Sequence, residues 1–240
     1  MTQIFSKNQN SAAKYFQQNK IGPSPQHTMK ITQALRDDIG EVAELLNTPE
    51  GRRVLTEHDP LLFAYIYFPH HLSDPEGNMT LCEFHLDLLD HAQAWSQPIG
   101  KNKEHRDCFI APRSSGKSTW IFLLLPMWAG AHKHRTFVAA FSDSEQQAMT
   151  HLYTFKQELE TNELLKRDYP EFCAVHKGSN NARAMMDNRN QTRRGNDFIF
   201  MAKGADSAAL GMKVGARRPD VLLFDDIEPG ESNYSEYEAR

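Results

Sequence analysis

The sequence predicts an α/β protein with a largely parallel sheet. Three observations predict it. Apolar runs of strand length recur at 107–111, 135–141, 198–204 and 221–226. Stretches with helical spacing lie between the earlier runs. A serine- and glycine-bearing loop, "APRSSGKST", joins the first run to the first of those helices. Strands that alternate with helices in this way pair in parallel through crossovers. The chain has 240 residues, 40% hydrophobic and 24% charged, which suits one domain with appendages or two small ones.

Taken in order, residues 1–30 are polar and rich in Gln, Asn and Ser, the texture of a flexible arm. Residues 31–100 read as a helical N-terminal region. Val42, Leu45 and Leu46 fall on one face, and "DPLLFAYIYFPHH" is either a buried helix or a packed loop. "TLCEFHLDLLDHAQAW" (80–95) is amphipathic. Leu81, Phe84, Leu88, Leu89, Ala92 and Trp95 recur at steps of three and four, with Asp87 and Asp90 opposite. Residues 101–240 form the α/β core. Its first run, "DCFIA", reads as a buried strand, and "STWIFLLLPMWAGA" as a helix buried on most sides that Pro126 kinks or interrupts.

"RTFVAAF" is the second strand. Ser142 and Glu145 stand at capping-box spacing, so a helix from Glu145 to Lys166 is predicted, closed by Pro170. "NARAMMDNRNQTRRGND" is loop or edge structure, "FIFMAKG" a strand, "ADSAALGMKVGARRPD" a connection and "VLLFDD" a buried strand ending in acids.

Charge and composition bound the function. The net charge is −4, so no global case for nucleic-acid binding exists. The distribution is uneven: 176–218 carries nine Lys/Arg against three Asp, and 225–240 carries six acids against one base. The basic segment either meets phosphates or is a solvated face. Three widely spaced cysteines make a disulfide framework or a zinc site a poor reading and fit a reducing cytoplasm. The longest apolar run, 120–131, contains Pro126 and is too short to span a bilayer, so no membrane partner is expected. The histidines at 70–71 and 132–134 lack carboxylate or cysteine partners at ligand spacing and read as surface or packing residues.

The chemistry concentrates in "RSSGKST". A phosphate-binding loop aims backbone N–H groups inward at the start of a helix. Here Ser114, Ser115 and Thr119 line the loop, Gly116 allows close approach, Lys117 brings charge to the β- and γ-phosphates, and Ser118 offers a hydroxyl to Mg²⁺. Ala111 replaces the usual first glycine. Downstream, "VLLFDDIE" has the form of a Walker B strand: Asp225 would hold Mg²⁺, and either Asp226 or Glu228 would orient the attacking water. Arg113 is a surface residue, or pairs with an acid to stiffen the loop, or stabilises charge on the γ-phosphate in the transition state.

Together these residues resemble the ATPase part of the large terminase subunit of tailed bacteriophages, over most of 59–240. "APRSSGKST", with an arginine where Arg113 stands and no first glycine, is similar to that family's loop. So are "FLLLPMWAG", "FKQELETNELLKRDYPEF" and "ALGMK…RRPDVLLFDDIE". "DPLLFAYIYFPHH" and "FHLDLL" look like the family's N-terminal region, which helps seat adenine. His85 stands near a position where many relatives carry glutamine.

The resemblance implies a P-loop NTPase of the additional-strand type that hydrolyses ATP with Mg²⁺. It implies a motor that moves double-stranded viral DNA into a procapsid in the host cytoplasm. Such a motor works as a ring of copies docked on the portal, with a small terminase subunit. The sequence ends fourteen residues past Asp226, so the core is expected to be incomplete at its C-terminus and to lack the nuclease domain. Two other readings stay open: another P-loop DNA translocase or helicase-like ATPase, and an inactive terminase fragment serving as an assembly module.

Overall fold

A computed structural model describes residues 46–73, 81–98, 106–177, 187–204 and 212–225. The chain divides into two compact units, Met1–Trp120 and Ile121–Arg240. The expected arm at 1–30, together with Val42 and Leu45, lies outside the described residues.

The described elements of the first unit are helices. Helix α1 (Pro49–Thr56) starts where the Thr48 hydroxyl accepts from the Gly51 N–H at 3.1 Å. Helix α2 (Pro60–Tyr67) starts in the same way, with the Asp59 carboxylate accepting from Leu62 N–H at 2.8 Å. In both, proline follows the cap and needs no hydrogen bond there. The open choice at "DPLLFAYIYFPHH" thus resolves as helix: Leu61, Leu62, Phe63, Ala64 and Tyr67 of α2 are buried. Phe68 leaves the helical region ahead of Pro69, as a residue before proline tends to, and the short α3 (Pro69–Leu72) follows. Helix α4 (Glu83–Ala92) buries His85, Leu88, Leu89 and Ala92, leaves Asp87 and Asp90 exposed, and runs on into a 3₁₀ turn (Gln93–Ser96).

One expectation fails in this unit. Residues 107–111 form no strand. Phe109 sets its ring edge-on against Phe84 and His91 of α4, with centroids at 6.2 and 5.3 Å. His91 Nδ1 lies 3.0 Å from the Asp107 carboxylate. Ile110 is 94% exposed. A strand is made by pairing, and among the described residues nothing pairs with this segment; helix side chains hold it instead.

Beyond the loop come α5 (Lys117–Thr119), a π turn (Trp120–Leu124) and α6 (Leu125–Ala131). Proline inside a helix lacks an N–H and crowds the carbonyl four residues back. For Pro126 that carbonyl belongs to Phe122, inside the wider π turn. The helix is therefore locally rewound rather than ended.

The second unit holds a five-stranded sheet in the order β2-β3-β4-β1-β5. Its strands are β1 (Phe137–Ser142), β2 (Asp187–Asn188), β3 (Gln191–Arg193), β4 (Ile199–Gly204) and β5 (Val221–Asp225). Strands β4 and β5 flank β1 in parallel, and the β2–β3 hairpin adds antiparallel to β4. Every residue of β1 is buried, as a central strand covered on both faces requires. Asp220 sets how β1 and β5 start together: its carboxylate accepts from Thr136 N–H, the Thr136 hydroxyl and Phe137 N–H at 2.8–3.0 Å.

Helix α7 (Glu145–Thr161) packs over β4 and β1, where Phe155 stacks on Phe200 at 4.6 Å. Each such buried ring contributes roughly 1.5–3 kcal/mol of transfer free energy. The cap of α7 is Ser144, not Ser142, and accepts from Gln147 N–H at 3.3 Å; Ser142 is the last residue of β1. The helix predicted to reach Lys166 breaks at Asn162, which ends α7 and caps α8 (Glu163–Asp168) through its side chain. Short α9 (Pro170–Cys173) follows.

Candidate functional site

The first cluster lies in the first unit, on residues 113–119. Ser114 has φ of 64° and Gly116 of 73°. Left-handed residues alternating with right-handed ones turn successive N–H groups to one side and make an anion-binding concavity. At Gly116 it is φ, not space, that calls for glycine: an added Cβ would come no closer than 3.6 Å to His85 Nε2. Helix α5 begins at the next residue, and Trp120 N–H bonds back to the Gly116 carbonyl at 3.1 Å. Lys117, Ser118 and Thr119 are half-buried on its first turn. The Ser115 hydroxyl is buried with no hydrogen-bond partner among the described residues. Arg113 is exposed and makes no ion pair among them.

Sequence reasoning singled out His85 without foreseeing its contact. Its Nδ1 accepts the Cys82 N–H at 3.0 Å, which requires that nitrogen to be bare. The proton then sits on Nε2, which donates to the Ser115 carbonyl at 2.6 Å. Burial lowers the His85 pKa, partly offset by the bond to Ser115, so the ring stays neutral. The available signal was position. His85 falls on the apolar stripe with Leu88, Leu89 and Ala92, where a polar ring must find partners inside.

The second cluster lies in the second unit, at the C-terminal ends of the parallel strands, where open α/β sheets place their ligands. Ser142 of β1 stands in register between Gly204 of β4 and Asp225 of β5. Ser142 and Asp225 are buried, and the Ser142 hydroxyl has no partner among the described residues. Gly204 admits the start of α7: an added Cβ would lie 2.7 Å from Glu145 N. His151 of α7 stacks on Phe122 at 4.5 Å, and its Nε2 is buried without a partner among the described residues. Burial lowers its pKa against the opposing pull of Asp225. Sequence reading missed His151, though it too lies on a buried stripe, with Ala148, Leu152 and Phe155.

Residues 113–119 belong to the first unit and Asp225 to the second. Asp226 and Glu228 lie outside the described residues. Among the described residues, Arg193, Arg194 and Arg217 of the basic segment are engaged within the protein. Arg193 and Arg217 bond to Asp197, whose carboxyl is held below its ordinary range mainly by Arg193, and Arg194 is buried. His132 and His134 are packing residues, as expected: His132 bonds to the Tyr169 hydroxyl at 2.9 Å and stacks with His134.

All three cysteines are free. Burial pushes the Cys173 thiol up to about 12 against the pull of Arg194 and Lys166. At pH 8 only about one such thiol in ten thousand is ionised. Iodoacetamide is therefore expected to label exposed Cys108 first and Cys173 only after denaturation. Peptide mapping that finds both labelled at one rate contradicts this.

No family model, no curated protein and no solved structure matches the chain. The fold is of the mixed α/β class, with a five-stranded, mostly parallel sheet. None of its described helices is long and apolar enough to cross a membrane.

Proposed function

We propose that this chain binds and hydrolyses ATP as the motor portion of a phage DNA-packaging terminase. One observation carries the proposal. "RSSGKS" adopts left-handed φ at Ser114 and Gly116 immediately ahead of a helix starting at Lys117, with a buried Ser115 hydroxyl that has no hydrogen-bond partner among the described residues. That donor set fits a phosphate chain. Asp225, a buried carboxylate closing strand β5, is the residue type that the resemblance calls for at the end of that strand.

On this reading the backbone N–H groups of 114–118 bind phosphate oxygens. Lys117 attracts the β- and γ-phosphates, and Ser115 and Thr119 add hydroxyl contacts. Ser118 and Asp225 are the Mg²⁺ residues. Bound Mg²⁺ neutralises charge on the phosphate oxygens. Asp226 or Glu228 orients the attacking water. Double-stranded viral DNA, the small subunit, the portal and further copies of the chain are the partners of such a motor.

The test is nucleotide binding and turnover by the purified chain. Lys117→Ala is expected to weaken Mg·ATP binding at least about a hundredfold and to abolish turnover, since it removes the charge that meets the phosphates. Asp225→Ala is expected to remove the Mg²⁺ dependence of binding. A chain that binds ATP equally well with and without Lys117 overturns the proposal.

A further inference from the structure

The resemblance places a base-seating residue near His85, but both ring nitrogens of His85 are already occupied within the protein. Nδ1 accepts from Cys82 N–H, and Nε2–H donates to the Ser115 carbonyl. The ring is also boxed in, with its centroid 5.3 Å from that of Phe84 and 5.8 Å from that of Trp120. Turning it over would break both hydrogen bonds at once.

We infer that His85 is a positioning residue for the phosphate loop, acting on the Ser115–Gly116 peptide, and that it takes no part in choosing the base. The inference rests on the phosphate-loop reading above and deepens it. The peptide is trans, so its C=O and N–H point to opposite sides. With the carbonyl held against His85, the Gly116 N–H points away from the histidine and is fixed as a donor. A released peptide turns freely, since glycine at 116 accepts either sign of φ. What His85 secures is therefore one hydrogen-bond donor for a phosphate oxygen. The ligand class served by this contact is the triphosphate chain itself, whatever base it carries. Burial keeps the ring neutral, and this preserves the pattern of one bare and one protonated nitrogen that the two bonds need.

The test uses the whole chain and three probes: Mg·ATP, Mg·GTP and inorganic tripolyphosphate. His85→Ala is expected to raise all three Kd values by one common factor of about ten. It is also expected to speed amide exchange at 113–118 while α2 keeps its protection. His85→Gln should restore most of both, because its terminal amide puts a donor where Nε2 stands. His85→Asn, whose amide reaches only the Nδ1 position, should not. If the alanine variant fails to fold, the glutamine–asparagine contrast decides.

Loss of ATP affinity with tripolyphosphate affinity unchanged makes His85 a base reader and overturns the inference. Unchanged exchange at 113–118 in both the alanine and asparagine variants overturns it too. A wild-type chain that binds none of the probes removes the proposed function and the triphosphate half of the inference. Exchange at 113–118 still decides whether His85 holds the loop.

Discussion

On the proposed ATPase function, Arg113→Ala is expected to lower kcat about a thousandfold while the Kd for Mg·ATP changes by less than about a factor of three. The reason is where the side chain stands and what it lacks. Arg113 sits one residue ahead of the left-handed Ser114, is exposed, and pairs with no acid among the described residues. A loop-stiffening arginine needs such a partner. A transition-state arginine needs to be free to meet charge that grows on the γ-phosphate as the bond breaks. Its contribution then appears in kcat and not in ground-state binding. Lysine at 113 keeps the charge but not the planar fork, so Arg113→Lys should recover only part of the loss. Equal losses in kcat and binding for the alanine variant would make Arg113 a structural residue of the loop. No loss in either would make it a surface residue.

The parts of this fold legible in sequence are those whose signal is local. Strands β1, β4 and β5 begin and end within about two residues of their apolar runs; β1 and β4 are buried along nearly their whole length, as their apolar runs require, whereas β5, expected to be a buried strand, leaves Leu222 and Phe224 about half exposed. Helix α4 was readable from its stripe. Residues 107–111 were not, because "DCFIA" looks the same whether a strand or a helix covers it. Which one does depends on residues far off in sequence, here Phe84 and His91.

The break at Asn162 was written in the sequence as a capping residue, but the continuous apolar spacing on either side masked it. At the candidate site the loop's residue types were plain from "SSGKS". The left-handed φ at Ser114 was not, since serine carries no such preference. The roles of His85 and His151 are likewise tertiary: a stripe position says that a histidine is buried, and only packing says what it touches.

Arg194→Met is expected to destabilise the second unit by about 3 kcal/mol, which for a chain of this size lowers Tm by roughly 6–12 °C. Arg194 is 1% exposed. Among the described residues no carboxylate lies within ion-pair distance of it, and Asp187 acts on it only from farther away. Its guanidinium instead donates to Phe172 O and to the Thr192 hydroxyl, both at 3.1 Å, and to Cys173 O. Those two carbonyls lie at the end of α9, where helix geometry leaves no partner. The next one, Ala174 O, accepts from Gly195 N–H at 2.7 Å. Arg194 and Gly195 thus cap α9 from the edge of the sheet and hold Phe172 against Phe155 and Phe198.

Methionine keeps much of the buried stem and removes every one of these donors, so the loss it causes measures the hydrogen bonds more than the packing. Lysine retains a charge but cannot reach three diverging acceptors with a planar fork, and Arg194→Lys should be no better than Arg194→Met. Thermal unfolding followed by far-ultraviolet circular dichroism reads the result. A methionine variant as stable as the wild type would mean that these carbonyls find other partners and that the sheet does not depend on the clamp.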